Sequence, residues 1–261
     1  MARVASLFSG STGNSTYISS GNTSVLIDAG VSGKAINEAL INIGATASDI
    51  KAVAVTHEHI DHIKGLKPFL KTTGAMLYAS SKTLEALADM DKIPAGIKTI
   101  CAEEDLDLGE IKLSRFATSH DCEGSSGFTA LLSTGAKISL CTDLGVMSDD
   151  IRACLSGSDL VFIESNHDID MLKRGPYPPE LKVRILSDKG HLSNNACAAE
   201  LPELLRSGAT RIVLSHISQH NNLPMLASNA AKRVLGAMGA EMGSDYLLYT
   251  AKPKDNGVIV L

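Results

Sequence analysis

Seven consecutive residues, Thr56-His57-Glu58-His59-Ile60-Asp61-His62, carry three imidazoles and two carboxylates directly after the apolar run Ala52–Val55. Neutral imidazole and carboxylate are ligands for divalent cations, Zn²⁺ foremost, with Mn²⁺ or Fe²⁺ as alternatives. His57 and His59 lie two apart, so in extended backbone they project the same way. Asp61 and His62 follow at the turn into a helix. Spaced like this, the two groups of side chains can face two different cations. A bound cation lowers the pKa of water towards neutrality, so the chemistry implied is hydrolysis. The competing reading is a solvated polar loop, and four ligand-type side chains within six positions weigh against it.

The surrounding sequence supplies elements that can hold such a loop. Val4–Phe8, Thr16–Ser19 and Ser24–Asp28 read as strands, the last two separated by the turn Gly21-Asn22. Lys34–Ile43 has helical spacing and ends at Gly44. Ala52–Val55 reads as a strand, and a helix starting near His62 carries Leu66, Phe69 and Leu70. Further strands are expected at Met76–Ala79, Ile111–Ala117, Phe128–Ser133, Lys137–Cys141, Leu160–Glu164, Arg211–Ser215, Tyr246–Tyr249 and Val258–Val260. Helices are expected at Ser81–Met90, Asn195–Arg206 and Leu226–Met238. Strands in meander-like runs with interspersed helices suit an α/β (α+β) fold of two mixed sheets flanked by helices. No repeat or clear linker interrupts the chain, which predicts a single domain over residues 1–261; Arg174–Pro179 reads as a surface loop.

Composition bounds the partners. The net charge is −5, which argues against a protein that coats nucleic acid through bulk positive charge but leaves room for a local basic track. One such track runs from Lys173 to Lys189, with Lys173, Arg174, Lys182, Arg184 and Lys189 against Glu180 and Asp188, and Tyr177 within it. Five widely spaced cysteines without a Cys-x-x-Cys suit reduced thiols in a cytoplasmic protein. No apolar run is long enough for a membrane span, so no membrane partner is expected.

The cluster resembles the His-x-His-x-Asp-His signature of the metallo-β-lactamase superfamily. That resemblance implies an αββα sandwich and directs attention to later ligands at strand ends: His120 after Ile111–Ala117, Asp143 after Lys137–Cys141, and His216 after Arg211–Ser215. It implies two divalent metal ions, one held by His57, His59 and His120, the other by Asp61, His62 and His216, with Asp143 bridging and a hydroxide between the ions as nucleophile. Asp143 fits nuclease and thioesterase branches better than β-lactamases, which tend to use cysteine near this step. Cys141 reads as a packing residue.

Two further segments invite function. Ser187-Asp188-Lys189-Gly190-His191-Leu192-Ser193-Asn194 precedes a helix, so backbone N–H groups with Ser193 or Asn194 can hold an anion. His191 can give a proton or hydrogen bond to a phosphoryl oxygen, with Asp61 as its catalytic counterpart. Glu164-Ser165-Asn166-His167-Asp168 follows a strand, and Asn166 and His167 can line a substrate groove or steady the ligands. The bland readings are a helix cap in each segment. Together with Gly10-Ser11-Thr12-Gly13-Asn14-Ser15 and Leu214-Ser215-His216-Ile217-Ser218, these motifs are similar to the YycJ/WalJ branch of the superfamily. The resemblance implies a cytoplasmic 5′-exonuclease with a role in DNA repair, acting on DNA more than RNA, and it leaves room for a homo-oligomer. The resulting expectation is a binuclear phosphodiester hydrolase acting on nucleic-acid ends. The alternatives are a thioester or lactone hydrolase of the glyoxalase II type and a non-catalytic metal-binding sensor.

Overall fold

Short, fully buried strands dominate the centre of each half of the molecule. The computed structural model describes residues 1–261. Tertiary contacts divide them into two units, one comprising Met1–Arg115, Cys122–Ala136 and Lys252–Leu261, the other Phe116–Asp121 and Lys137–Ala251.

In the first unit the strands are β1 (Arg3–Phe8), β2 (Ser15–Ser20), β3 (Thr23–Ile27), β4 (Ile50–Ala54), β5 (Met76–Ala79), β6 (Thr99–Cys101), β7 (Leu106–Asp107), β8 (Ile111–Ala117, its last two residues counted with the second unit) and β9 (Ser126–Leu132), with the terminal strand Ile259–Val260. Its helices are α1 (Gly33–Asn42), α2 (Ile60–Ile63), α3 (Leu66–Thr73) and α4 (Ser81–Asp89). The terminal strand and β1 to β6 form one seven-stranded sheet in that order. Pairing is antiparallel from β1 to β3 and parallel from β3 to β6, so the sheet is mixed. Residues of β2 and β3 are buried throughout, as strands covered on both faces must be. The helices lay Ile36, Leu40, Leu66, Phe69, Leu70 and Leu87 against Leu26, Val53 and Leu77 of the sheet. Each such side chain contributes about 1.5–3 kcal/mol by leaving water.

The single helix expected from His62 onward is two helices. The Gly65 N–H bonds Ala29 O at 2.9 Å instead of continuing the helical ladder, and the chain restarts at Leu66. The short strands β6 and β7 were not expected.

The second unit is a parallel array: β10 (Lys137–Cys141), β11 (Leu160–Glu164), β12 (Arg211–Ser215) and β13 (Leu247–Thr250), adjacent in that order. Its helices are α5 (Asp149–Leu155), α6 (Ile169–Arg174), α7 (Pro179–Ile185), α8 (Asn194–Arg206) and α9 (Pro224–Ala237). Helices α5, α8 and α9 bury Ile151, Leu201, Leu204 and Leu235 with Val161, Ile163, Ile212 and Leu214 of the strands. The register sets Cys141 beside Ile163 and Ile163 beside Leu214, so three strands end level. Groups just beyond their carboxyl ends are therefore delivered to one edge, where open α/β sheets bind ligands. No helix is long and apolar enough to cross a membrane.

Candidate metal centre

Two ligand sets emerge, one in each unit. In the first, β3 and β4 run parallel and end together, Ile27 beside Ala54. Asp28 follows β3, and Thr56 and His57 follow β4. Asp28 is 2% exposed and takes the left-handed conformation, φ 65°, rare for a residue with a side chain. Its carboxylate accepts the Thr56 N–H at 2.8 Å, the Thr56 hydroxyl at 2.9 Å and the His62 Nδ1–H at 2.8 Å. The Thr56 hydroxyl has only one hydrogen. With that hydrogen on Asp28, its oxygen accepts from His57 Nδ1 at 3.0 Å. Both histidines are thereby held as the Nδ1–H tautomer, leaving Nε2 as a lone-pair donor. His57 Nε2 stands 3.0 Å from His59 Nδ1, a spacing that suits a hydrogen bond or two lone pairs converging on a cation.

The loop before β2 locks this arrangement. The Asn14 amide nitrogen lies 3.1 Å from His62 Nε2 and 3.4 Å from an Asp61 carboxylate oxygen, and the Asn14 side-chain oxygen accepts the Gly10 N–H. The Asn14 N–H also bonds Asp61 O at 2.8 Å. Gly30 lies so close beneath that a Cβ there would be 1.6 Å from the Asp61 carbonyl oxygen. Only glycine permits that approach. The Gly10–Ser15 loop thus braces the histidine cluster through Asn14.

In the second unit the strand ends deliver Asp143, Glu164 and His216. Asp143 and His216 also adopt left-handed backbone, φ 59° and 56°, a conformation that surrounding bonds must hold in place. Glu164 is fully buried and central. It accepts His191 Nδ1–H at 2.9 Å, His216 Nδ1–H at 2.7 Å, Leu144 N–H at 3.2 Å and Leu192 N–H at 3.0 Å. Ligand atoms of Asp143, Glu164, His191 and His216 all lie within 4.8 Å of one another. His120 donates Nδ1–H to Gly190 O at 3.2 Å, and its ring is 5.2 Å from that of His191.

The electrostatics follow from burial and neighbours. Burial pushes the Glu164 carboxyl up, but His191 and His216 outweigh it and hold the group below the usual carboxylate range. For His191, burial pulls the imidazole down while Glu164 wins, so its pKa rises. Burial lowers that of His120. Cys141, wholly buried, has its thiol pushed well up by desolvation, and it packs in the core rather than facing the chemistry.

The remaining candidates are placed as follows. Ser193 caps α8, its hydroxyl accepting from Ala196 N–H. Asn194 is buried with its amide committed to Ser165 and Asn222. Asn166 donates to His216 O at 3.0 Å and so steadies that backbone. His167 is 1% exposed, neither ring nitrogen has a hydrogen-bond partner, and burial drops its pKa to about 4. Asp168 caps α6, accepting from Met171 N–H. Two residues escaped the sequence reading as ligand supports: Asp28 and Glu164. The available signal was the same as for Asp143, an acidic side chain ending an apolar strand.

The donor set fits divalent metal. Five histidines, His57, His62, His120, His191 and His216, are each held through Nδ1 by an oxygen, the preparation that metal-binding imidazoles need. Carboxylates of Asp61 and Asp143 lie in the same clusters.

Comparison with known proteins agrees with this chemistry. The model of the Beta-lactamase superfamily domain matches residues 23–217. Exodeoxyribonuclease YycJ of Bacillus anthracis is 35% identical over 95% of this chain and 94% of its own length. Exodeoxyribonuclease WalJ of Streptococcus pneumoniae is 35% identical over 95% and 93%. Among solved structures, the metallo-β-lactamase fold protein YhfI from Bacillus subtilis covers 99% of this chain and 98% of its own, with a TM-score of 0.74 at 17% identity. That likeness gives the fold, two mixed sheets flanked by helices in the αββα manner. The chain therefore belongs to the metallo-β-lactamase superfamily, on the branch of the YycJ/WalJ proteins, and is a metal-dependent hydrolase.

Proposed function

We propose that the protein is a binuclear phosphodiesterase that trims nucleic-acid ends, DNA in preference to RNA. In this reading both ligand sets serve one pair of divalent ions, Zn²⁺ first and Mn²⁺ or Fe²⁺ as alternatives. His57, His59 and His120 hold one ion; Asp61, His62 and His216 hold the other; Asp143 serves both. Such ions polarise the phosphate and acidify water. The observation that carries the reading is that His57, His62, His120 and His216 are each tied through Nδ1 to an oxygen, the bond that orients a metal-binding imidazole. Support for a nucleic-acid substrate comes from relatives named exodeoxyribonucleases that match over nearly their whole length.

The chain's own groups have distinct tasks. Glu164 favours the imidazolium form of His191, which then has an Nε2–H to give to a phosphoryl or leaving oxygen. Asp61 takes the proton released as water attacks. Asn166 keeps the His216 segment in place, His167 takes the Asn194 N–H on its carbonyl oxygen, and Ser193 and Asn194 set the start of α8 beside the substrate. A cytoplasmic location and a single folding domain are part of this reading.

The test is release of mononucleotides from 5′-labelled single-stranded DNA by protein loaded with Mn²⁺ or Zn²⁺. The expected result is time-dependent mononucleotide release. Intact DNA, RNA and simple phosphodiesters alongside rapid thioester hydrolysis would overturn the proposal.

A further inference from the structure

We propose that Lys173–Lys189 is an arm that grips single-stranded DNA beside the candidate metal centre, an inference that rests on the nucleic-acid reading above. The segment carries five cations and two anions in a chain whose net charge is −5. It folds as two short helices, α6 and α7, joined by Gly175-Pro176-Tyr177-Pro178, and most of it is exposed. Lys173, Arg174 and Lys189 are exposed and enter no ion pair, so their charge is available to a phosphate backbone. Val183 is 70% exposed and Leu186 45%, which adds apolar surface to the same stretch.

The arm is fastened to segments that carry ligands in this unit. Arg184 pairs with Asp121, the neighbour of His120. Gly190, next after Lys189, accepts from His120. Gly145, two residues beyond Asp143, meets the arm so closely that a Cβ there would be 2.4 Å from the Asp188 carbonyl carbon. Between α6 and α7 the Tyr177 ring lies 5.9 Å from that of His220, four residues past His216, at an interplanar angle of 62°. Lys182 Nζ donates to Lys173 O at 2.9 Å and ties α7 back to α6. The arm is thus a cationic segment braced against segments that carry candidate ligands, with an aromatic pair at the join of α6 and α7.

That pairing of features selects the ligand. Phosphates attract the lysines and arginine whatever the sequence. A ring face can stack only on a base that is free of its own duplex stack, so Tyr177 and His220 favour a single strand. Three unpaired cations without an aromatic pair would suit a duplex or an anionic membrane equally well.

The experiment measures binding of a fluorescent phosphorothioate oligothymidylate, which resists cleavage, to the metal-loaded full chain by anisotropy across a salt series. Tyr177→Ala is expected to weaken binding about tenfold, the effect of losing one stacked base. Tyr177→Phe is expected to restore binding to within about twofold. Replacing both Lys173 and Arg174 by Ala is expected to lower the slope of log affinity against log salt by about 1.4, two phosphate contacts on a single strand. Circular dichroism of each variant checks that it folds. Variants that bind like the wild type, duplex bound as tightly as single strand, or the same variant-dependent capture on phosphatidylserine vesicles would each overturn the arm. Hydrolysis of bis(p-nitrophenyl) phosphate by the wild type tests the functional reading separately. If that ester is cleaved while oligonucleotide binding ignores the arm variants, the arm is wrong and the hydrolase reading stands. If nothing is cleaved but binding follows the variants, the arm stands and the hydrolase reading fails.

Discussion

In the first unit four candidate ligands fall within His57–His62, whereas in the second they come from segments as far apart as His120, Asp143, His191 and His216. Each set is organised by one buried carboxylate. Asp28 accepts three hydrogen bonds, two from Thr56 and one from His62, and reaches His57 only through the Thr56 hydroxyl. Glu164 accepts four, and two come directly from histidines on different segments. The contrast teaches what a hub is for. A contiguous motif needs its loop braced, while dispersed ligands need a group that binds their segments together. Glu164 should therefore be the more costly to lose.

The comparison breaks first at the ligands. His59→Ala in one unit and Asp143→Ala in the other are each expected to cut phosphodiester hydrolysis by about a thousandfold, the several kcal/mol that metal assistance supplies. Equal losses mean that both sets serve one reaction; a loss confined to one variant would mean that only one set does. Next come the hubs. Glu164→Gln is expected to lower the melting stability of the metal-free protein by about 4 kcal/mol, because four donors lose a charged acceptor. Asp28→Asn should cost about 2 kcal/mol, and roughly 10–100-fold in metal affinity through the freed His62. Denaturant titration with metal-binding isotherms checks both, and the reverse ranking would refute the role given to Glu164.

A third effect sharpens the picture of the second unit. His167 has a pKa of about 4 in the folded protein against 6.5 for an ordinary histidine. Above 6.5 both states are neutral there and stability is complete. As the pH falls from 6.5 to 4 the unfolded chain binds a proton that the folded one refuses, so stability drops by about 3 kcal/mol in all. His167→Asn should flatten that part of the denaturation profile of the metal-free protein; an unchanged slope would show that the ring is solvated. The smallest effect concerns Cys141. Its replacement by Ala should cost about 1 kcal/mol of stability and leave hydrolysis within about twofold, since the thiol packs in the core.

The same contrast explains how much could be read from the chain. Several strands announce themselves as apolar runs: Met76–Ala79, Ile111–Ala117, Lys137–Cys141, Leu160–Glu164 and Arg211–Ser215 have the expected limits. The His57–His62 cluster is legible because its spacing is local. Glu164 and Asp28 were not, because an acid at a strand end is ordinary until donors arrive from Leu192, His216 or His62. Helices α5 and α7 escaped because each has seven residues, too short for a hydrophobic period to show; α6 was legible only through its cap at Asp168. The split between α2 and α3 depends on the Gly65 N–H turning to Ala29, a contact invisible in a sequence window.

The central proposal is that the candidate ligands hold two divalent ions. Metal content per chain, measured after purification without chelator, tests it most directly. The account predicts two divalent ions per wild-type chain, and fewer in both His59→Ala and Asp143→Ala. One ion or none in the wild type, or two ions retained in either variant, would contradict it.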